Sequence, residues 1–401
     1  MGNQFWQFAT AGNIVFGRGC RSQLTFHLNR LSIRKPLVVT DATLCQVPVV
    51  ASLIAELSTK QQAVIFDQGQ AEPAVDVAVK ACRQGQQANC DAVIGIGGGS
   101  NLDVAKIVAA VLAHGGTPND YFGFGKIPGP VCPMIALPTT AGTGSEVSHS
   151  AVLTDTQAGV KVSTLSNWLR PTVALIDPQL TDSCPKGITA ASGIDALVHA
   201  IEAYLSRDYT AVTTVDCSER AYEGSYPLTR LLAAEAIRLI GQWLVRACHH
   251  PKDVAARDSI ALASMLAGMA FSNSGVGVVH ALEYPIGAMT HCSHGEGNGL
   301  LLPHVMRYLL PTCKTQLADI ARWLGADVHG QNITGCASMA IACVQELQVA
   351  IGIHTQLRQL GLNRDLLPQV ASKALDIKRL MDTCVPLPTH SDLLQILEAA
   401  Y

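Results

Sequence analysis

Ala92-Val-Ile-Gly-Ile-Gly-Gly-Gly-Ser-Asn-Leu-Asp-Val-Ala-Lys106 decides the fold. An apolar, β-branched run stops at three glycines and resumes as a helix former, which reads as strand, tight turn and helix. Glycines let a backbone come close to a pyrophosphate, and the N-terminus of the following helix offers it N–H groups and a positive dipole end. A phosphate seat is one reading. A tight strand-to-helix turn is the other, because the full Gly-x-Gly-x-x-Gly spacing is absent. Ser100 can cap the helix and Asp103 can support its first turn.

Outward from this unit, the runs Leu37–Thr40, Ala63–Phe66, Met134–Leu137 and Val173–Ile176 have the same strand character, with helical stretches between them. Alternating strands and helices predict a doubly wound, mainly parallel sheet that binds a nucleotide at the carboxyl ends of its strands. After Pro185 the strand runs cease. Helical periodicity recurs over Leu231–Ala247, Val254–Phe271, Gln316–Trp323 and Ile333–Gly352. The expected organisation is an α/β dinucleotide-binding domain over residues 1–184 and an all-α domain over 185–401, packed directly with a cleft between them.

Two further stretches carry nucleotide chemistry. Asp41 follows a predicted strand, where a carboxylate accepts from the adenosine ribose hydroxyls and repels a 2′-phosphate, favouring NAD over NADP. Its other reading is a cap for a helix opening at Thr43-Leu44. Leu137-Pro-Thr-Thr-Ala-Gly-Thr-Gly-Ser-Glu146 places four hydroxyls and two glycines after a strand, suited to bonding phosphate, ribose or carboxamide.

The helical half holds metal-ligand chemistry. Asp195 and His199 lie four apart in a helix-forming run and leave one face a turn apart. His280 precedes a helix-stopping Pro285, and His294 opens the turn-like His-Gly-Glu-Gly-Asn298. Nitrogen and oxygen donors in this mixture suit Zn2+ or Fe2+ rather than Ca2+ or Mg2+. Each pair alone also reads as ordinary polar neighbours.

The chain of 401 residues carries 28 basic and 31 acidic residues with no long block of either, which argues against nucleic acid or an anionic membrane surface as partner. Unbroken apolar runs fall short of a membrane span, and the N-terminus lacks a basic start and apolar core, so a cytoplasmic protein is expected. Thirteen cysteines without a Cys-x-x-Cys pair fit single thiols in a reducing compartment.

The order and separation of Gly97-Gly-Gly-Ser-x-x-Asp-x-x-Lys106, the threonine loop, Asp195/His199 and His280/His294 resemble the iron-containing, or group III, alcohol dehydrogenases over essentially the whole chain. The resemblance implies the fold that family shares with dehydroquinate synthase, a homodimer, and a metal held by Asp195, His199, His280 and His294, with Fe2+ usual and Zn2+ its substitute. It implies that pyrophosphate rests on Gly97, Gly98 and Ser100, with Asp103 beside the cofactor. Thr139, Thr140 and Thr143 would surround adenine and ribose, Lys161 would reach the nicotinamide-side ribose, and Leu180 would pack on the cofactor.

One departure stands out. Family members carry a His four residues after the third ligand, near the substrate, where this chain has Tyr284. Tyr284 or His291 is then the expected proton-transfer group, with a water chain as the other route. The implied activity is NAD(H)-dependent interconversion of a small alcohol and its aldehyde or ketone, the metal polarising the substrate oxygen. Arg170 is a candidate for meeting an acidic substrate, against its reading as a surface charge. The alternatives are a metal- and NAD-dependent lyase of the dehydroquinate synthase type, and a noncatalytic NAD-binding homologue.

Overall fold

The computed structural model describes residues 5–156, 159–212 and 220–401. Ala9–Cys184 forms one compact unit, and Pro185–Tyr401, with the N-terminal stretch ending at Phe8, forms the other.

The first unit is built on Ile14–Phe16 (β1), Pro36–Val39 (β2), Val64–Phe66 (β3), Ala92–Gly97 (β4), Met134–Pro138 (β6) and Val173–Ile176 (β9), all parallel in the order β1-β9-β6-β4-β2-β3. Central strands β2, β4, β6 and β9 are buried throughout, which is why they read as continuous apolar runs rather than alternating ones. Helices Leu24–Arg30 (α1), Pro48–Gln61 (α2), Val75–Gln87 (α3) and Gly99–His114 (α4) accompany them. One apolar cluster gathers α3 and α4 residues such as Ala78, Leu102 and Val108. Another gathers Leu28, Leu53 and Leu57 with β9 residues Val173 and Leu175.

Register decides what meets at the carboxyl ends. Val39 pairs with Gly95, and Gly97 with Pro138, so Asp41, the glycine turn and the threonine loop leave three adjacent strands. A second sheet of Gly123–Phe124 (β5), Ser150–Asp155 (β7) and Val160–Leu165 (β8), with β7 and β8 antiparallel, was not expected. Its strands are half-exposed and polar, so they lack the apolar signal of the main sheet.

The second unit consists of Lys186–Leu205 (α5), Pro227–His249 (α6), Val254–Ser274 (α7), Val278–Thr290 (α8), His294–Leu309 (α9), Lys314–Trp323 (α10), Ile333–Ile351 (α11), Leu367–Leu375 (α12), Lys378–Met381 (α13) and His390–Ala400 (α14). Among the described residues both α7 and α11 are long and apolar enough to match a membrane span, a length the unbroken apolar runs did not suggest; most of α7 is buried within the protein. The stretch ending at Phe8, assigned with the sheet from its place in the chain, packs with the helices instead. Trp6 stacks on Tyr226 at 4.3 Å, and the Tyr226 hydroxyl donates to the Gln7 carbonyl at 2.8 Å. Of the polar segment 208–227, Tyr209–Ala211 is a single 3-10 turn and Asp208 bridges to Ser225, while residues 213–219 lie outside the described residues.

Two local expectations are corrected. Pro285 does not stop a helix; it lies inside α8. Both ends of that helix are pinned. Val279 N–H donates to Glu202 Oε1 at 2.7 Å near one end, and at the other the Thr290 hydroxyl donates to the Ile286 carbonyl before His291 closes the helix in the left-handed region. His294-Gly-Glu-Gly-Asn298 is likewise no turn but the first turn of α9. Its glycines serve close packing: a Cβ at Gly295 would overlap the Ala191 carbonyl of α5, one at Gly297 would meet Glu283 Cγ at 2.9 Å, and one at Gly299 would meet Ile194 at 2.7 Å.

Candidate metal centre and nucleotide turn

In the helical unit, α5, α8 and α9 bring Asp195, His280 and His294 together, with one ligand atom from each lying within 4.8 Å of the others. His199 stands beside this trio rather than inside it. Its ring stacks on His280 at 4.7 Å and on Phe271 at 4.2 Å, with Nδ1 at 3.8 Å from Asp195 Oδ2. The predicted one-turn spacing of Asp195 and His199 therefore holds, and both are buried.

Three residues that sequence reading passed over complete the arrangement. Glu202 Oε2 accepts from His280 Nδ1 at 2.6 Å, and Glu283 Oε2 accepts from His294 Nδ1. Holding the proton on Nδ1 leaves each Nε2 as a lone-pair donor, the usual outer-sphere device of histidine metal sites. Those Nε2 atoms face one point. Asn298 Nδ2 lies there, 2.8 Å from Asp195 Oδ1, 3.2 Å from His280 Nε2 and 3.1 Å from His294 Nε2, while its Oδ1 is buried with no partner among the described residues. Helical spacing was the available signal, since Glu202 follows His199 by three, Glu283 follows His280 by three and Asn298 follows His294 by four.

Burial works to raise the Asp195 carboxyl, yet the imidazoles of His199, His294 and His280 together with the Asn298 amide hold it below the ordinary carboxylate value. A carboxylate and two oriented imidazoles converging on a buried point fit a divalent ion of the Fe2+ or Zn2+ type.

In the sheet unit, Gly98 is the N-cap of α4, and the first N–H groups beyond it have no intrahelical acceptor. Ser100 sits within the first turn, so it is not the cap. Gly97 has φ +155° and a Cβ there would overlap Asn101; a Cβ at Gly99 would meet Thr143 at 2.6 Å. A Cβ at Gly98 would lie 3.3 Å from the Thr140 hydroxyl, and Thr139 N–H donates to the Gly97 carbonyl at 3.0 Å. The threonine loop thus closes directly over the glycine turn. A cradle of backbone that side chains would fill fits a dinucleotide pyrophosphate.

Asp41 takes its capping role, with Oδ1 accepting from Leu44 N–H at 2.9 Å, while Oδ2 accepts from Asn101 Nδ2 at 2.8 Å. Asp103 ties the threonine loop to β7, accepting from the Ser145 hydroxyl at 2.6 Å and from Val152 N–H at 2.9 Å. Beside it, buried Lys106 donates to Ser148 Oγ at 3.0 Å and to the Ser150 carbonyl at 2.8 Å, and burial brings its ammonium down to about 8. Burial also raises Glu146, at the end of the loop, to about 7.

Residues 11–178 match the model of the iron-containing alcohol dehydrogenases, and residues 189–401 match the C-terminal model of the same family. The chain belongs to that family. It is 34% identical over 393 residues to the NAD-dependent methanol dehydrogenase of Bacillus methanolicus, covering 96% of this chain and 97% of that one. It is 37% identical over 393 residues to long-chain-alcohol dehydrogenase 1 of Geobacillus thermodenitrificans, covering 96% and 94%. Among solved structures, a 1,3-propanediol oxidoreductase superposes with a TM-score of 0.92 at 32% identity, covering 99% of this chain and 100% of the other. Membership makes the protein an alcohol dehydrogenase, an oxidoreductase, and the lyase alternative is not favoured.

The remaining expected site residues of this alcohol dehydrogenase fall in different settings. Tyr284 is half-buried in α8, its ring 6.0 Å from that of His294, and its hydroxyl hydrogen-bonds Arg379. His291 is the exposed C-cap of the same helix. Lys161 pairs with Glu72 at 3.0 Å. Leu180 is buried in the sheet unit's own core, beside Leu175. Arg170 donates to the Val147 carbonyl at 2.9 Å and to Asn167 Oδ1 at 3.1 Å, so part of its guanidinium holds the local backbone.

Proposed function

We propose that this protein interconverts a small alcohol and its aldehyde or ketone with NAD(H), using a metal held by Asp195, His280 and His294 with His199 as fourth ligand. The convergence of two Nε2 atoms and one carboxylate oxygen, in a chain of this family, carries the reading. When bound, the ion supplies Lewis acidity to the substrate oxygen, and the nicotinamide is the hydride partner. Glu202 and Glu283 keep the His280 and His294 rings oriented. His199 joins the set by reorienting its ring from the stack on His280.

Gly97, Gly98 and Ser100 receive the pyrophosphate, and Thr139, Thr140 and Thr143 wall the same turn. Asp103 acts by positioning that loop, while Asp41 faces the adenosine ribose and disfavours a 2′-phosphate. Lys161 reaches the cofactor by exchanging its pairing with Glu72, and Leu180 supports the cofactor from the core. Tyr284, standing beside His294, holds or moves the alcohol proton, and exposed His291 passes it to solvent. The same reading makes the enzyme a cytoplasmic homodimer acting on a dissolved small molecule, without nucleic-acid or membrane partners. A near-balanced charge supports the exclusion of nucleic acid.

The test is metal analysis of the purified protein with NADH oxidation against a panel of small aldehydes, with and without chelator. Activity should vanish on chelation and return with Fe2+ or Zn2+. Chelator-insensitive turnover by metal-free protein would overturn the assignment. Sedimentation of the same sample checks the dimer.

A further inference from the structure

The ligand cluster is open on one side. Asp195, His280, Glu202, Glu283 and Asn298 are buried, whereas the His294 side chain retains 26% of its exposure. The Tyr284 ring stands 6.0 Å from that of His294, and the Arg379 guanidinium lies 5.6 Å from the centre of the Tyr284 ring. Arg379 also hydrogen-bonds the hydroxyls of Tyr284 and Tyr222, and all three side chains remain partly exposed. Burial pushes the Tyr222 phenol up to about 12, so it orients the guanidinium without neutralising it. Tyr222 in turn packs against Gly275, where a Cβ would meet its ring at 3.0 Å. An oriented, partly desolvated guanidinium is a fork-shaped donor suited to an oxyanion. It also accounts for the departure at Tyr284, since the phenol that replaces the family's His is one of the two groups holding the cation.

We propose that Arg379, set by Tyr222 and Tyr284 beside His294, seats an oxyanion group on the substrate. The preferred carbonyl compound is then a short aldehyde or ketone carrying a carboxylate, sulfonate or phosphonate a few bonds from the reacting carbon. The turnover part of its test rests on the proposed hydride transfer; the binding part does not.

The metal-loaded enzyme is assayed with NADH on butanal, 4-oxobutanoate, 2-oxoethanesulfonate and 2-oxoethylphosphonate, for the native chain, Arg379→Met and Arg379→Lys. For the preferred headgroup, the kcat/KM ratio of anionic to neutral aldehyde should fall roughly a hundredfold in Arg379→Met, mainly through KM, with Arg379→Lys between. Tyr222→Phe removes a single oxygen and should lower the ratio in the same direction if Arg379→Met does not fold. Calorimetry with the unreactive butanoate, ethanesulfonate and ethylphosphonate, on enzyme loaded with metal and NAD+, should show one of the three weakened by a similar factor, which distinguishes the headgroups. A ratio unchanged by Arg379→Met, or anions that bind both proteins equally or neither, overturns the subsite. Arg379-dependent anion binding in a protein that reduces none of the four aldehydes would leave the subsite standing and overturn the hydride-transfer reading.

Discussion

The side-chain amide of Asn298 donates to Asp195 Oδ1 at 2.8 Å, at the point that the His280 and His294 Nε2 atoms also face. The two N–H groups of this amide serve the Asp195 carboxylate and are shared between the two ring nitrogens when no ion does so. Replacing it by Ala should therefore destabilise the metal-free protein by about 1–3 kcal/mol and the metal-loaded protein by clearly less. Melting curves with chelator and with excess Zn2+ measure both. Equal losses in the two states would show that Asn298 serves packing alone.

His280→Ala should abolish turnover and bound metal while NADH binding, followed by fluorescence, stays near the native value. Glu202→Gln should do less, because it leaves the ligand and alters only the acceptor at His280 Nδ1. The expected cost is roughly 10–100-fold in metal affinity, read by competition with a chromophoric chelator. Near-native activity of His280→Ala would remove it from the ligand set.

Gly99→Ala introduces a methyl 2.6 Å from Thr143 Cγ2 and should push the threonine loop off the glycine turn. Overpacking of this kind costs about 1–3 kcal/mol, so NAD+ affinity should weaken by about tenfold or more. Thr143→Gly in the same chain removes the obstruction and should restore much of the loss. If the double variant binds no better than Gly99→Ala, the two loops are not coupled through this contact.

Glu146 gives a pH dependence of defined sign. Its folded value is raised from 4.5 to about 7, chiefly by burial. Across that window the folded chain keeps a proton that the unfolded chain releases, so stability falls as pH rises from about 5 to 7, by up to about 3 kcal/mol, and then levels. Glu146→Gln should flatten this slope. Denaturant midpoints at pH 5 and 8 for both proteins would decide it, and parallel midpoints would rule Glu146 out as the source.

Much of the sheet unit was legible because its central strands are buried on both faces and so carry unbroken apolar runs, and because glycines mark the turn after Ile96. The ligand residues were legible as chemistry. Their local structure was not: Pro285 and the glycines of 295–299 punctuate sequences in general, but here tertiary contacts to Glu202, Ala191 and Ile194 override the local signal. Single residues were least legible where a competing partner exists only in three dimensions. Glu72 beside Lys161, Val147 beside Arg170 and Arg379 beside Tyr284 are all distant in sequence.

The glycines that seat α9 on α5 and α8 have a practical consequence. Because close contacts of Gly295 with Ala191, Gly297 with Glu283 and Gly299 with Ile194 set the spacing of His294, Asp195 and Glu283, the backbone needs no rearrangement to receive an ion and only the His199 ring has to turn. One ion should therefore replace another by dialysis of the native protein, with no unfolding step. That opens the centre to Co2+ as a visible-light reporter, whose colour would follow substrate entry in real time.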